Sequence, residues 1–246
     1  MNSNPGFQVF GPVHVAVICL TIAIPVLLGV AVRLTGSRRL DLGVALVLSS
    51  LLATNYLGFA VYLWQHNLVL WKQALPFQLC DWALVAVIVA LLTGWRGWAE
   101  VSYFWGIGGT WQAILTPNLQ VNFPDIRAIS FFIMHGGIVA GVIYLLIARR
   151  IRITAGAVWR TLAWSELYLV ATLVVDQLTG VNYGFLLQRP AVHSILDYLS
   201  DERWLYVLEL NGLALLFFAL LYAPWGIAEL VRRNRAPRGG DRADFA

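Results

Sequence analysis

The chain has 246 residues, 59% of them hydrophobic and only 12% charged, with a formal net charge of +4. Apolar runs of roughly 20 residues exclude an ordinary soluble core and indicate a polytopic helical membrane protein. The positive balance is no nucleic-acid signal, because the basic residues stand in short loops and a tail, and two cysteines are too few for a disulfide framework.

In chain order, seven spans are predicted: Pro12–Val32, Leu42–Trp64, Pro76–Leu92, Trp98–Thr116, Ala128–Ala148, Val158–Thr179 and Trp204–Glu229. Each approaches the length that a hydrocarbon core of ~30 Å demands, and helix is the state that satisfies backbone groups in lipid. The fold class is therefore all-α, a seven-helix transmembrane domain over residues 1–231 with a polar basic tail over 232–246. No Lys or Arg precedes the first apolar run, so it does not resemble a cleaved signal peptide. Pro76 suits the first turn of its helix, and Pro224 is expected to kink the last one.

The basic residues fix an orientation. With seven spans, one side holds Lys72, Arg127, Arg189 and Arg203. The other holds Arg33, Arg38, Arg39, Arg96, Arg149, Arg150, Arg152, Arg160, Arg232, Arg233, Arg235, Arg238 and Arg242. The positive-inside bias places the amino terminus outside and the carboxyl terminus in the cytoplasm.

Polar residues of the spans then share one depth. At about 1.5 Å per residue, Cys80, Gln112 and Asp176 lie roughly 6 Å below the outer boundary, His135, Glu209 and Asn211 about 10 Å below it, and Asn55 about 13 Å. His14 opens the first span on the same side, Glu166 lies near the middle, and the inner half reads as almost purely apolar. Intramembrane polar residues face a bundle interior or a wet cavity, so a crevice open to the outer leaflet is expected. The outer loop from Val181 to Arg203 is long; it reads either as a lid over that crevice or as an ordinary interfacial loop.

Cys80 stands at the threshold of an apolar run, and two readings apply. It is a small buried hydrophobe, or a thiol activated by the dipole of its helix and a nearby base. Cys19, among Val17, Ile18 and Leu20, reads as packing. His135 is either the base for Cys80 or a histidine satisfied by one interhelical hydrogen bond. His14 is a base, a ligand or an interfacial residue; His66 and His193 read as solvated loop residues. Gly137 with Gly141, and Gly106, Gly108 and Gly109, read as close helix packing. A zinc site wants three converging ligands and no local spacing supplies them, so neither metal nor cofactor is expected. Lys72, the sole lysine, lies in a loop, which excludes a retinal receptor.

Several motifs also resemble a known family. They are Phe10-Gly11-Pro12-Val13-His14, Pro76-Phe77-Gln78-Leu79-Cys80, Tyr103-Phe104-Trp105-Gly106 with Gln112-Ala113 and Thr116-Pro117, Phe131-Phe132 with His135-Gly136, and Asn182-Tyr183-Gly184-Phe185-Leu186 with Pro190 and Leu196-Asp197. In this the chain resembles the YwaF-like family of bacterial integral membrane proteins, which is similar to a eukaryotic transmembrane acyltransferase of ether phospholipids. The resemblance implies an acyl-accepting nucleophile at Cys80 with His135 as partner, and assigns no role to Asp81. It implies phospholipids and lysophospholipids as partners, and a multi-pass protein of the bacterial cytoplasmic membrane. Gln78, Gln112 or Asn182 would supply oxyanion donors, and Tyr183, His14, Asp176 and Glu209 would complete the substrate site. A lipid hydrolase using the same site, or a non-enzymatic transporter or lipid-binding protein, are the alternatives.

Overall fold

The computed structural model describes residues 7–189 and 195–235. Every regular element among them is helical. The helices are α1 (Pro12–Thr35), α2 (Arg38–Gln65), α3 (Leu79–Thr93), α4 (Arg96–Trp105), α5 (Trp111–Leu115), α6 (Ile126–Ala148), α7 (Ala155–Thr179) and α8 (Arg203–Arg235). Five of these, α1, α2, α6, α7 and α8, are long and apolar enough to cross a membrane, and α3 is a shorter apolar helix. A π-helical turn, Gly106–Thr110, joins α4 to α5, so the expected fourth span is one run with a widened turn inside it. The loop after α7 carries two single 3-10 turns, Tyr183–Phe185 and Ile195–Tyr198. Within that loop Pro190, His193 and Ser194 lie outside the described residues, as does the tail beyond Arg235.

Helix boundaries differ from the sequence reading by up to six residues. The third helix begins at Leu79, not Pro76, because the Gln78 N–H donates to Asp81 Oδ2 at 2.9 Å and caps the helix there. The fourth begins at Arg96 and ends at Leu115. The last helix runs through Pro224 to Arg235 without a break.

The helix α6 lies at the centre and packs against α1, α2, α3, α4 and α5. Its glycines make this possible. Gly136 meets Thr21 of α1, Gly137 meets Leu52 of α2, and Gly141 meets Val87 of α3, each so closely that a Cβ would collide with the last two. Lipid tails are as apolar as leucine, so such close van der Waals packing, rather than exclusion of water, holds these helices together. Gly106 of the π turn likewise accepts Val142. On α3 the residues Ala83, Ala86, Val87 and Ala90 are wholly enclosed, small side chains again allowing close approach.

The outer faces of α1, α2, α7 and α8 remain covered with exposed Leu, Val and Ile. Exposed tryptophans collect at the two ends of the bundle: Trp64, Trp71 and Trp204 at one, Trp95 and Trp159 at the other. Amphipathic rings in two girdles with apolar faces between are what a bilayer requires.

Both ends carry polar ties. Near Cys80, Asn55 Nδ2 donates to the Ser130 carbonyl at 3.1 Å. At the opposite end Tyr144 donates to Asp41 Oδ1 at 2.6 Å, and Arg149 reaches both Asp41 and the Ala90 carbonyl. Glu100 there is 1% exposed and held by Arg96 and Arg160. The half of the bundle away from Cys80, expected to be almost purely apolar, thus is not, because Glu100 stands one helical turn from Arg96 and folds inward to be neutralised.

Candidate functional site

The site grows from the segment that leads into α3. Its peptide groups are pinned from three directions. Tyr168 on α7 donates its hydroxyl to the Phe77 carbonyl at 3.0 Å. Tyr183 donates to the Lys72 carbonyl at 2.6 Å and accepts from the Leu75 N–H at 3.1 Å. Trp82, one turn into α3, donates back to the Pro76 carbonyl at 3.1 Å. The Gln78 side chain accepts the Gly184 N–H at 3.3 Å, and Asp176 Oδ1 accepts the Tyr183 N–H at 2.8 Å. A loop that would otherwise expose unpaired peptide groups to lipid is so closed on itself.

Cys80 sits at the second position of α3, inside this framework and partly buried. Asp81 follows it, 8% exposed, with Tyr56 of α2 and Tyr168 of α7 within electrostatic reach. On α7, Tyr168, Thr172 and Asp176 recur at four-residue spacing and so form one buried stripe. Thr172 Oγ1 and Asp176 Oδ2 are buried without a hydrogen-bond partner among the described residues. Tyr183 lies in the loop; burial holds its hydroxyl above the ordinary phenol range, so it stays a neutral donor.

Beside this cluster lies a cavity of about 520 Å³. Its walls are apolar, with Leu57, Leu84, Val85, Ile88, Trp98 and Trp164 among them, and its polar groups are Asp81 and the Tyr56 phenol. The cavity therefore presents a hydrocarbon slot whose ionisable end is the residue next to Cys80. Cys80, Gln112, His135, Asp176 and Glu209, expected around one crevice, do not themselves line it.

The remaining site residues fall into three groups. Gln78, Cys80, Asp176 and Tyr183 are brought together at the start of α3. His135 is 9% exposed on α6. Its Nδ1 lies 2.8 Å from the Phe131 carbonyl, an acceptor only, so Nδ1 carries the proton and Nε2 the lone pair. It belongs to the stripe of α6 that continues through Ile138 and Val142, which both meet Gly106 of the π turn. Among the described residues, Cys80 and His135 share no hydrogen bond.

The third group has other duties. His14 Nε2 donates to the Ile114 carbonyl at 2.7 Å while Nδ1 accepts the Phe10 N–H at 2.8 Å. Both ring nitrogens are occupied, and the ring is enclosed by Phe7, Phe10 and Phe132, so His14 pins α1 to α5. Gln112 is exposed and bonds back to Gly108. Asn182 ties its own loop through Leu187 and Gln188, and Glu209 accepts the Ser200 N–H. Cys19 is exposed on α1. Among the described residues no three His, Cys, Asp or Glu side chains gather as metal ligands.

Tyr56, Tyr168 and Thr172 escaped the sequence reading, and Asp81 was given no role in it. Two signals point to all but Tyr56: Gln78 and Asp81 stand three apart, the spacing of a reciprocal helix cap, and the α7 stripe repeats every four residues.

Apolar helices long enough to span a bilayer, girdled by tryptophan and enclosing a buried polar cluster beside a hydrocarbon slot, define a multi-pass helical membrane protein. The chain belongs to the TMEM164 family, whose model matches residues 9–222. The family shown is thus TMEM164; the YwaF name suggested by the motifs is not supported by the match. A protein of Treponema pallidum (strain Nichols), described as uncharacterized, is 28% identical over 158 residues, covering 63% of this chain and 63% of that protein. No solved structure matches the chain.

Proposed function

We propose that this protein moves acyl chains between phospholipids and lysophospholipids, with Cys80 as the nucleophile. The observation that carries the reading is the placement of Cys80: it stands in the first turn of α3, within a buried polar cluster, next to the one carboxylate that lines the apolar cavity. A helix amino terminus favours a thiolate, and an apolar slot beside it suits the chain of the ester under attack. The resemblance of the Pro76–Cys80 motif to a transmembrane acyltransferase points the same way.

The chemistry divides into two transfers. His135 Nε2 takes the Cys80 proton, and Sγ attacks the ester carbonyl carbon. The carbon–oxygen bond breaks, and the departing lysophospholipid oxygen takes the proton from His135. The hydroxyl of a second lysophospholipid then gives its proton to His135 and attacks the thioester; the carbon–sulfur bond breaks and Cys80 regains its proton. Gln78, two residues before the nucleophile, would supply a donor for the tetrahedral oxyanion, and Asp176 holds the Tyr183 loop whose Gly184 N–H bonds the Gln78 side chain. With water as acceptor the same site hydrolyses the lipid.

The reading includes a topology. Seven crossings, with α3 as the third and the α4–α5 run as the fourth, put the amino terminus outside and the arginine-rich loops in the cytoplasm of a bacterial inner membrane. The Cys80 cluster then faces the outer leaflet.

One observation favours a second reading, a lipid-binding protein without turnover: Cys80 and His135 are not hydrogen-bonded. The test is mass spectrometry of the purified protein after incubation with phospholipid. An acyl adduct on Cys80, absent from Cys80→Ser, supports transfer. No adduct, or an adduct on Cys19, sinks it. Release of free fatty acid in place of a new phospholipid assigns hydrolysis.

A further inference from the structure

We infer that the end of the bundle opposite Cys80 carries a binding site for the phosphate headgroup of an anionic phospholipid, between Arg96 and Arg160. The inference needs no turnover at Cys80, but its choice of leaflet rests on the topology proposed above.

A second cavity, of about 320 Å³, opens where α3 gives way to α4. Arg96, Glu100 and Arg160 line it together with Trp95, Trp98 and Trp164. Glu100 is 1% exposed and organises the two cations. Arg96 Nε donates to its Oε1 at 3.0 Å and Arg160 Nε to its Oε2 at 3.1 Å, while Arg160 Nη2 also contacts Oε2. Arg96 Nη2 is spent on the Arg152 carbonyl. Among the described residues, Nη1 of each guanidinium has no hydrogen-bond partner. The side chains are half exposed, 56% for Arg96 and 52% for Arg160, so these donors face the interface and not the core. Two guanidiniums around one carboxylate leave one net positive charge, with two oriented donors: the complement of a phosphodiester.

The apolar part of the lipid is also provided for. Trp98 and Trp164 line this cavity and the larger one, so the two cavities meet at this pair of rings from α4 and α7. Their rings are 4.9 Å apart and tilted, forming a wall at the junction. A leaflet is about 15 Å deep, half a hydrocarbon core, so a chain whose headgroup rests on the arginines extends past these tryptophans into the larger slot. The larger cavity has no arginine or lysine in its lining, and its ionisable residue is Asp81. An anionic headgroup therefore belongs at the arginine end, and on the proposed topology that end meets the cytoplasmic leaflet.

Native mass spectrometry of the full chain, loaded with equal amounts of phosphatidylglycerol and phosphatidylcholine of identical chains, tests the site. The wild type should retain the anionic lipid by about fivefold over the zwitterionic one, because both carry the phosphodiester and only phosphatidylglycerol leaves its charge uncancelled against the one net positive charge of the site. Removing one arginine alone would leave one oxygen of the buried Glu100 carboxylate without its cation, so the neutral variant is Arg96→Gln with Glu100→Gln and Arg160→Gln, which should lose the preference. Glu100→Gln alone leaves two cations without their counter-charge and should raise anionic retention; a purely structural ion cluster would be weakened by it instead. Excess inorganic phosphate should leave the ratio unchanged. Equal retention by the wild type, which needs no variant to measure, overturns the proposal, as does a preserved preference in the neutral variant, a fall in Glu100→Gln, or displacement of the lipid by free phosphate.

Discussion

The hydroxyl of Tyr168 donates to the carbonyl of Phe77 at 3.0 Å, fastening α7 to the segment that delivers Cys80 into its helix. Tyr168 also touches the loop beyond α7: a Cβ on Gly184 would collide with its hydroxyl, and Gly184 has a φ of +59°. One side chain thus sets the distance between the two segments that frame the site.

Tyr168→Phe should remove the partner of the half-buried Phe77 carbonyl and cost about 0.5–1.5 kcal/mol. Thermal unfolding in detergent reads the loss. Because the Pro76–Gln78 segment is freed, reactivity of Cys80 toward a maleimide should also rise, and an unchanged labelling rate would show that the clasp does not position the thiol.

Gly184→Ala carries a double penalty, a left-handed backbone and a collision with Tyr168. The expected destabilisation is at least about 1–3 kcal/mol. Gly212→Ala, where a Cβ meets nothing within 4 Å, is the control and should be nearly silent.

His135→Ala should abolish acyl transfer near neutral pH yet recover part of it at strongly alkaline pH, where the thiol ionises without a base. A variant that stays dead at every pH while remaining folded would mark His135 as a packing residue of α6.

Reporter fusions check the topology. Fusions in the Arg149–Arg160 loop and in the tail should report cytoplasmic, and one after Asp197 should report external. Sidedness reversed at either place would overturn the proposed orientation.

Asp125 caps α6 and lies beside Arg127, whose guanidinium holds the carboxyl down to about 2 from an ordinary 3.8. A depressed carboxylate stabilises the fold at pH values above its ordinary range, and that contribution fades as pH falls from about 4 through about 2. Asp125→Asn should therefore flatten the melting temperature in that acid window without changing its slope near neutrality.

Membrane character was legible in the sequence because hydropathy along a helix is a local property: α1, α2, α6 and α7 fall within a few residues of their expected ranges. Cys80 and the Pro76–Gln78 approach were legible too, as polar groups against an apolar run. The start of α3 was not, since Pro76 looked like a first-turn residue until the Gln78–Asp81 cap took that place. His14 shows the other limit. As a histidine at a membrane boundary it invited a chemical role, but the carbonyl of Ile114, a hundred residues away, occupies its second nitrogen. Hydropathy and charge bias are sums over neighbours in the chain and so are fixed by the sequence alone. Whether a polar atom is free to react depends on partners that only the packing of α6 against its neighbours, and of the Tyr183 loop against α3, brings within about 3 Å.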